Sequence, residues 1–135
     1  MVDIETDIYE LVSDAVLALY SDAFTSSVYT TAPAQFPACS VMQVSNLTDT
    51  FTLDSSATEN ASKVVFRVDS YSNLRTGARS QAKKIAQAAD EVMLSHGFKR
   101  TYYTQDYNPA DSTVYTISAR YSAIVTKDNE VAQER

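Results

Sequence analysis

Nucleophilic or metal-assisted catalysis needs histidine, cysteine and carboxylate groups held together, and in this sequence they stand apart. The chain has one histidine, His96, and one cysteine, Cys39, far from each other, and no cluster of carboxylates accompanies either. His96 precedes Gly97 at the end of a helical pattern, where the helix dipole favours a cationic side chain and no chemistry need be invoked. Cys39 lies in an apolar run and reads as a small core residue. Alone, it can form neither an internal disulfide nor a thiolate metal cluster. Serines are plentiful, but there is no Gly-x-Ser-x-Gly elbow and no second histidine for a triad. Gly77 and Gly97 are the only glycines, so no Gly-rich loop can cradle a phosphate. No catalytic, cofactor-binding or metal-ligating residue is assigned, and no cofactor is expected.

Three groups of polar side chains remain. Asp54, Glu59, Asp69, Asp106 and Asp111 could supply paired carboxylates, although nothing in their spacing singles out a pair. Arg67, Arg100 and Arg120 fall on strand patterns. Such arginines either line a solvated sheet face and make cross-strand ion pairs, or cross a subunit boundary to meet acidic groups there. Tyr102, Tyr103, Tyr107, Tyr115 and Tyr121 have the type for base stacking, but a net charge of −6 favours ordinary strand packing.

The elements that must position these groups are marked most clearly from Gly77 to Val125. Ala78, Ala82, Ile85, Ala86, Ala89, Val92 and Met93 recur at helical spacing, with Arg79, Lys83, Lys84, Gln87, Asp90 and Glu91 opposite. Gly97 can take the left-handed conformation that ends a helix. A strand over Phe98–Asp106 and a second over Ser112–Lys127 flank the turn-forming Tyr107–Asp111, which predicts an antiparallel hairpin. In the longer strand Tyr115, Ile117, Ala119, Tyr121, Ala123 and Val125 alternate with polar residues.

Earlier, residues 4–20 read as a helix with Ile4, Ile8, Leu11, Val12, Ala15 and Leu19 on its main apolar face. Tyr9, Val16 and Tyr20 form a second, narrower stripe, which either sinks into the monomer core or meets another subunit. Residues 21–37 form a long connection with room for a short strand near Ser27–Thr31. Strands are expected at Ala38–Ser45 and Ala61–Tyr71. Between them Asn46–Asn60 is a polar arm, either carrying a strand over Thr48–Leu53 or ordered only by partners. The charged tail, 128–135, is expected to fray. The order α-β-β-α-β-β predicts an α+β fold: a mainly antiparallel sheet with two helices packed on one face, residues 1–135 forming a single domain.

An apolar fraction of 44% and a charged fraction of 21% are those of a globular domain. There is no membrane-length apolar run, and Asp3, Glu5 and Asp7 stand where a secretory signal would be basic. The expected setting is a cytosol, or something assembled in one. Seventeen acidic residues against eleven basic ones argue against a module that grips nucleic acid by its phosphates.

The second half resembles the tail terminator (tail completion) proteins of long-tailed bacteriophages. The likeness is carried by an Ala-rich helix ending in Met93-Leu94-Ser95-His96-Gly97-Phe98, by Arg100, and by the strand Tyr115-x-Ile117-x-Ala119-Arg120-Tyr121. It covers about 60 residues, and the acidic first helix, the size and the element order agree with it. The resemblance implies a virion protein assembled in the host cytoplasm: a ring, generally a hexamer, at the head-proximal end of the tail tube. Such a homo-hexamer stops tube polymerisation and docks the head connector. Its partners are the tail tube protein and the head–tail connector protein; DNA passes through the lumen without sequence-specific binding, and no membrane is involved. Head–tail joining and minor tail proteins share the size and composition. On this reading Tyr9, Val16, Tyr20, Arg67, Arg100 and Arg120 are candidates for the subunit interface. Asp54, Glu59, Asp106 and Asp111 are candidates for an acidic channel wall. The alternative from another class is a small α+β enzyme or ligand-binding domain with a pocket between helices and sheet.

Overall fold

The computed structural model describes residues 3–28, 35–48, 61–108, 111–126 and 131–132. Their order is α1 (Glu5–Leu19), β1 (Phe24–Ser26), β2 (Ala38–Thr48), β3 (Ala61–Ser72), α2 (Ala78–Ser95), β4 (Lys99–Asn108), β5 (Asp111–Thr126) and β6 (Val131–Ala132). The expected α+β class and the two-helix, mainly antiparallel plan hold. The strands form one sheet in the order β1-β2-β3-β5-β4, with β6 pairing β5. Every pairing is antiparallel except that of β1 with β2.

The spine is β5, paired with β3 from Tyr115↔Ser72 to Thr126↔Ala61 and with β4 on its other side. Its period of two sends Ala119, Tyr121, Ala123 and Val125 into the main core. There they meet Val64, Phe66 and Val68 of β3, Cys39 and Val41 of β2, and the helices. Burial of this apolar surface is the principal driving force. Alanines on the sheet side of α2 (Ala78, Ala82, Ala86, Ala89) bring that helix close, and Ile85 and Met93 fill what remains. The far end of the same helix closes as a Schellman motif: Phe98 N donates to Met93 O at 3.0 Å and Gly97 N to Leu94 O at 3.1 Å. Gly97, at φ 87°, makes that possible, and Phe98 follows it into the core. At the other end the N-cap is Gly77 at φ 85°, and no side chain caps the helix.

The first helix is rotated from its expected setting. Ile4, Ile8, Val12 and Val16 are buried, with Tyr9 and Tyr20 packed against the same core. Leu11 and Leu19, expected inside, are 38% and 45% exposed. Two hydrogen bonds pin the rotation: the Tyr9 hydroxyl and Ser13 Oγ each lie 3.0 Å from Thr25 Oγ1 on β1. That strand precedes the expected Ser27–Thr31, of which residues 29–31 lie outside the described residues. A third cluster, Ala38, Tyr71 and Val114 with Phe24 and Phe36 against it, fills one end of the sheet face turned away from the helices. Most of the arm at Asn46–Asn60 lies outside the described residues, although β2 runs on to Thr48. In the tail that was expected to fray, Val131 and Ala132 pair with Val125 and Ile124.

Candidate functional site

Among the described residues no group of three or more His, Cys, Asp or Glu could hold a metal ion. Cys39 is buried, and burial first, then the nearby Asp69 carboxylate, pushes its thiol up to about 12. His96 is exposed at the α2 terminus, its Nδ1 2.8 Å from Val92 O. The described depressions are grooves open to solvent. One of about 500 Å³ runs between α1 and α2, lined mostly by Ala15, Ala18, Leu19, Ala88 and Val92. None gathers convergent catalytic groups.

Two polar networks give the sheet its internal order. On the face away from the helices, Asp69 is almost fully buried. It accepts a hydrogen bond from Ser118 Oγ and pairs with Arg67, Nε to Oδ2 at 2.9 Å. Burial nonetheless outweighs these partners and holds its carboxyl above the ordinary carboxylate range. On the helix face, Asp90 of α2 accepts from Tyr121 Oη at 2.8 Å and from Arg100 Nη1 at 2.9 Å through one oxygen. Burial and the bond to Asp90 keep the Tyr121 phenol protonated well above its usual range. These contacts tie α2 to β5 and β4.

Beyond Arg100, the β4 edge is exposed throughout Thr101–Tyr107. Tyr102, Tyr103 and Tyr107 show 48%, 41% and 57% of their surface. The Arg120 guanidinium lies 5.3 Å from the Tyr102 ring centroid, and Arg100 lies 5.6 Å from that of Tyr103. Cation–π contact thus holds two tyrosines upright along an otherwise open edge.

The sequence candidates separate accordingly. Val16 is fully buried in the monomer core, and Tyr9 and Tyr20 are partly buried against it. Arg67 is committed to Asp69, whereas Arg100 and Arg120 stand at the β4 edge. Asp106 is exposed on β4, where its Oδ1 accepts from Tyr107 N at 2.7 Å. Asp111 opens β5 opposite Asn108, and Asp54 and Glu59 lie outside the described residues. Sequence reasoning missed the edge tyrosines as a surface, having placed them in strand packing. The signal was available: Tyr102 and Tyr103 are adjacent, so a strand must present them on opposite faces, and only one can enter a core.

No family model matches the sequence, and no curated protein shows significant sequence similarity to it. Among solved structures, the chain superposes on one from the virion of a native gene transfer agent particle, with a TM-score of 0.64. The likeness covers 91% of this chain and 94% of that one at 12% identity, a similarity of fold. A second solved structure, 15% identical over 93% of this chain and 96% of the other, reaches a TM-score of 0.46, too low to carry an argument.

Proposed function

We propose that the chain is a structural virion protein, a subunit of the ring that ends a phage tail tube and docks the head connector. One observation carries the reading: its fold spans nearly end to end that of a chain from a gene transfer agent virion, a phage-like particle. The residue pattern from Met93 to Phe98 and from Tyr115 to Tyr121 supports it independently. So does the distribution of side chains, which spends its polar groups on internal bracing and leaves aromatic surface on a strand edge. Such surface suits permanent contact with other subunits better than turnover of a small molecule.

In this reading the ring is a hexamer touching the tube on one side and the connector on the other. Asp54, Glu59, Asp106 and Asp111 bias the channel wall toward negative charge, so that DNA slides past without binding. The decisive experiment is mass in solution, by native mass spectrometry or light scattering, with and without purified tail tubes. A six-fold mass, alone or on tubes, is expected; a monomer that never joins tubes would reject the reading. Tight DNA binding by the assembled ring, or a lumen lined by Lys83, Lys84, Lys99 or Arg100, would reject the channel assignment.

A further inference from the structure

The charges of this chain are divided along its sequence. No lysine or arginine occurs before Lys63, and between Lys63 and Lys84 the only acid is Asp69. The fold carries the division into space. In the sheet order β1-β2-β3-β5-β4, α1 packs over β2, and α2 over β3, β5 and β4. The acidic helix therefore covers one side of the domain and the basic first half of α2 the other. On α1, Asp7, Glu10 and Asp14 are exposed and fall within an arc of roughly 60°, opposite buried Ile8, Val12 and Val16. Exposed Leu11 stands beside them, one helical turn from Asp7 and from Asp14. At the start of α2 a groove of about 360 Å³ is lined by Leu74, Ala78 and Tyr107, with Arg75 and Arg79 in its wall. Lys83 follows one turn beyond Arg79. Edge-on contact with Tyr115, 5.2 Å between ring centroids, holds the Tyr107 side of the groove. Among the described residues, none of these acids and bases has an ion-pair partner within the subunit.

Resting on the ring reading above, we propose that the acidic face of α1 in one copy docks on the groove at the start of α2 in the next, with Leu11 entering beside Leu74 and Tyr107. The charges are complementary: Asp7, Glu10 and Asp14 come against Arg75, Arg79 and Lys83. The N-terminus of α2, with no side-chain cap and no acid in its first turn, adds the positive end of the helix dipole. The lengths agree as well. Asp7 and Asp14 lie about 10 Å apart along α1, and Arg79 and Lys83 about 6 Å apart along α2, with Arg75 preceding them. An apolar centre ringed by charge is the anatomy of a protein interface. A polyanion such as DNA would use the cations but leave Leu74, Tyr107 and Leu11 uncovered. Two copies do not pair through α1 alone, because acid would face acid. The contact joins two different patches, so its repetition generates a ring when the rotation closes. It also turns the α2 cations toward a neighbouring subunit and away from a lumen that DNA must pass.

Charge exchange tests this. One variant carries Asp7→Lys, Glu10→Lys and Asp14→Lys; the other carries Arg75→Glu, Arg79→Glu and Lys83→Glu. All these positions are exposed, and circular dichroism should show both variants folded. The unaltered chain is expected at six-fold mass, in solution or on purified tail tubes, and each variant alone at the monomer mass. Mixing the two variants in equal amounts should restore the six-fold mass, because in an alternating ring every contact again joins acid to base. Leu11→Ala, a milder change on the same face, should raise the concentration for half-assembly by about tenfold or more. Six-fold mass in both charge variants, or no shift for Leu11→Ala, would overturn this contact while leaving the ring intact. Loss of assembly in each variant without recovery on mixing would also overturn it, since the two faces would then not meet each other. Binding of a short DNA duplex that is abolished in the α2 variant, with the six-fold mass unchanged, would give the groove to nucleic acid and overturn the proposal. An unaltered chain that stays monomeric and never joins tubes would reject the ring reading itself, and this contact with it.

Discussion

The rotation of α1 can be tested by removing one side chain from each of its two apolar stripes. Val16 has no exposed surface and packs in the main core, whereas Leu11 is 38% exposed. Val16→Ala removes two buried methyl groups. At about 0.8 kcal/mol per buried carbon, with an added cavity term because the β2–β3–α2 surroundings relax only in part, it should cost about 2–3 kcal/mol. Leu11→Ala removes a larger but partly solvated group and should cost about 1 kcal/mol. For a domain of this size that corresponds to roughly 3–5 °C in Tm per kcal/mol, so the valine variant should melt about 6–15 °C lower. Urea denaturation of dilute protein gives both values, provided the m-values stay constant. If α1 instead faced the core through Leu11 and Leu19, the order would invert: the leucine variant would lose several kcal/mol and the valine variant almost nothing. That inversion, or a folded and assembly-deficient Val16→Glu, would refute the buried-stripe assignment.

The remaining predictions concern the polar braces and one turn. Asp69 titrates above the ordinary carboxylate range in the fold, so the native state binds the extra proton. Stability should therefore fall as pH rises from about 4 through the raised folded value, and Asp69→Asn should flatten the curve in that window. Asp90→Ala should cost about 1–3 kcal/mol because it strands the Tyr121 hydroxyl, whereas Arg100→Ala, at the exposed end of the same brace, should cost under about 0.5 kcal/mol. Equal losses in the two variants would contradict that division. Gly77→Ala should cost about 1 kcal/mol through its φ of 85° alone, since an added Cβ would meet nothing within 4 Å. A neutral result in thermal melts would show that the turn relaxes.

How much was legible in the sequence follows from how local each determinant is. The α2 stripe, the Gly97 stop and the alternation of β5 are written in consecutive residues, and the structure reproduces them within a residue or two. The α1 setting was not, because Leu11 and Val16 are equally apolar. What chooses between them is Thr25, on another element, bonding Tyr9 and Ser13. The braces at Asp69 and Asp90 are invisible for the same reason, joining residues far apart in the chain. The parallel strand β1, in register with Ala38–Ser40, lies ahead of the expected Ser27–Thr31, of which residues 29–31 are outside the described residues. At the candidate surface, the arginines read as either ion pairs or interface groups; within the subunit Arg67 pairs with Asp69 and Arg100 with Asp90. Arg67 serves Asp69 inside the subunit, while Arg100 and Arg120 prop tyrosines at the edge.

The position of β5 between β3 and β4 also governs how the chain reaches its fold. β3 finds its partner about fifty residues later, across the whole of α2 and β4. A helix can form within microseconds, but that closure has to be completed before the central ladder returns any energy. Folding should consequently be slow, on the order of milliseconds to seconds, limited by the meeting of β3 and β5. During synthesis β3 emerges well before the strand that covers it and presents Val64, Phe66 and Val68 beside an open ladder. That interval is when the nascent chain is most exposed to pairing with the wrong neighbour. Many copies made close together would make the hazard greatest, and timely arrival of β5 would remove it.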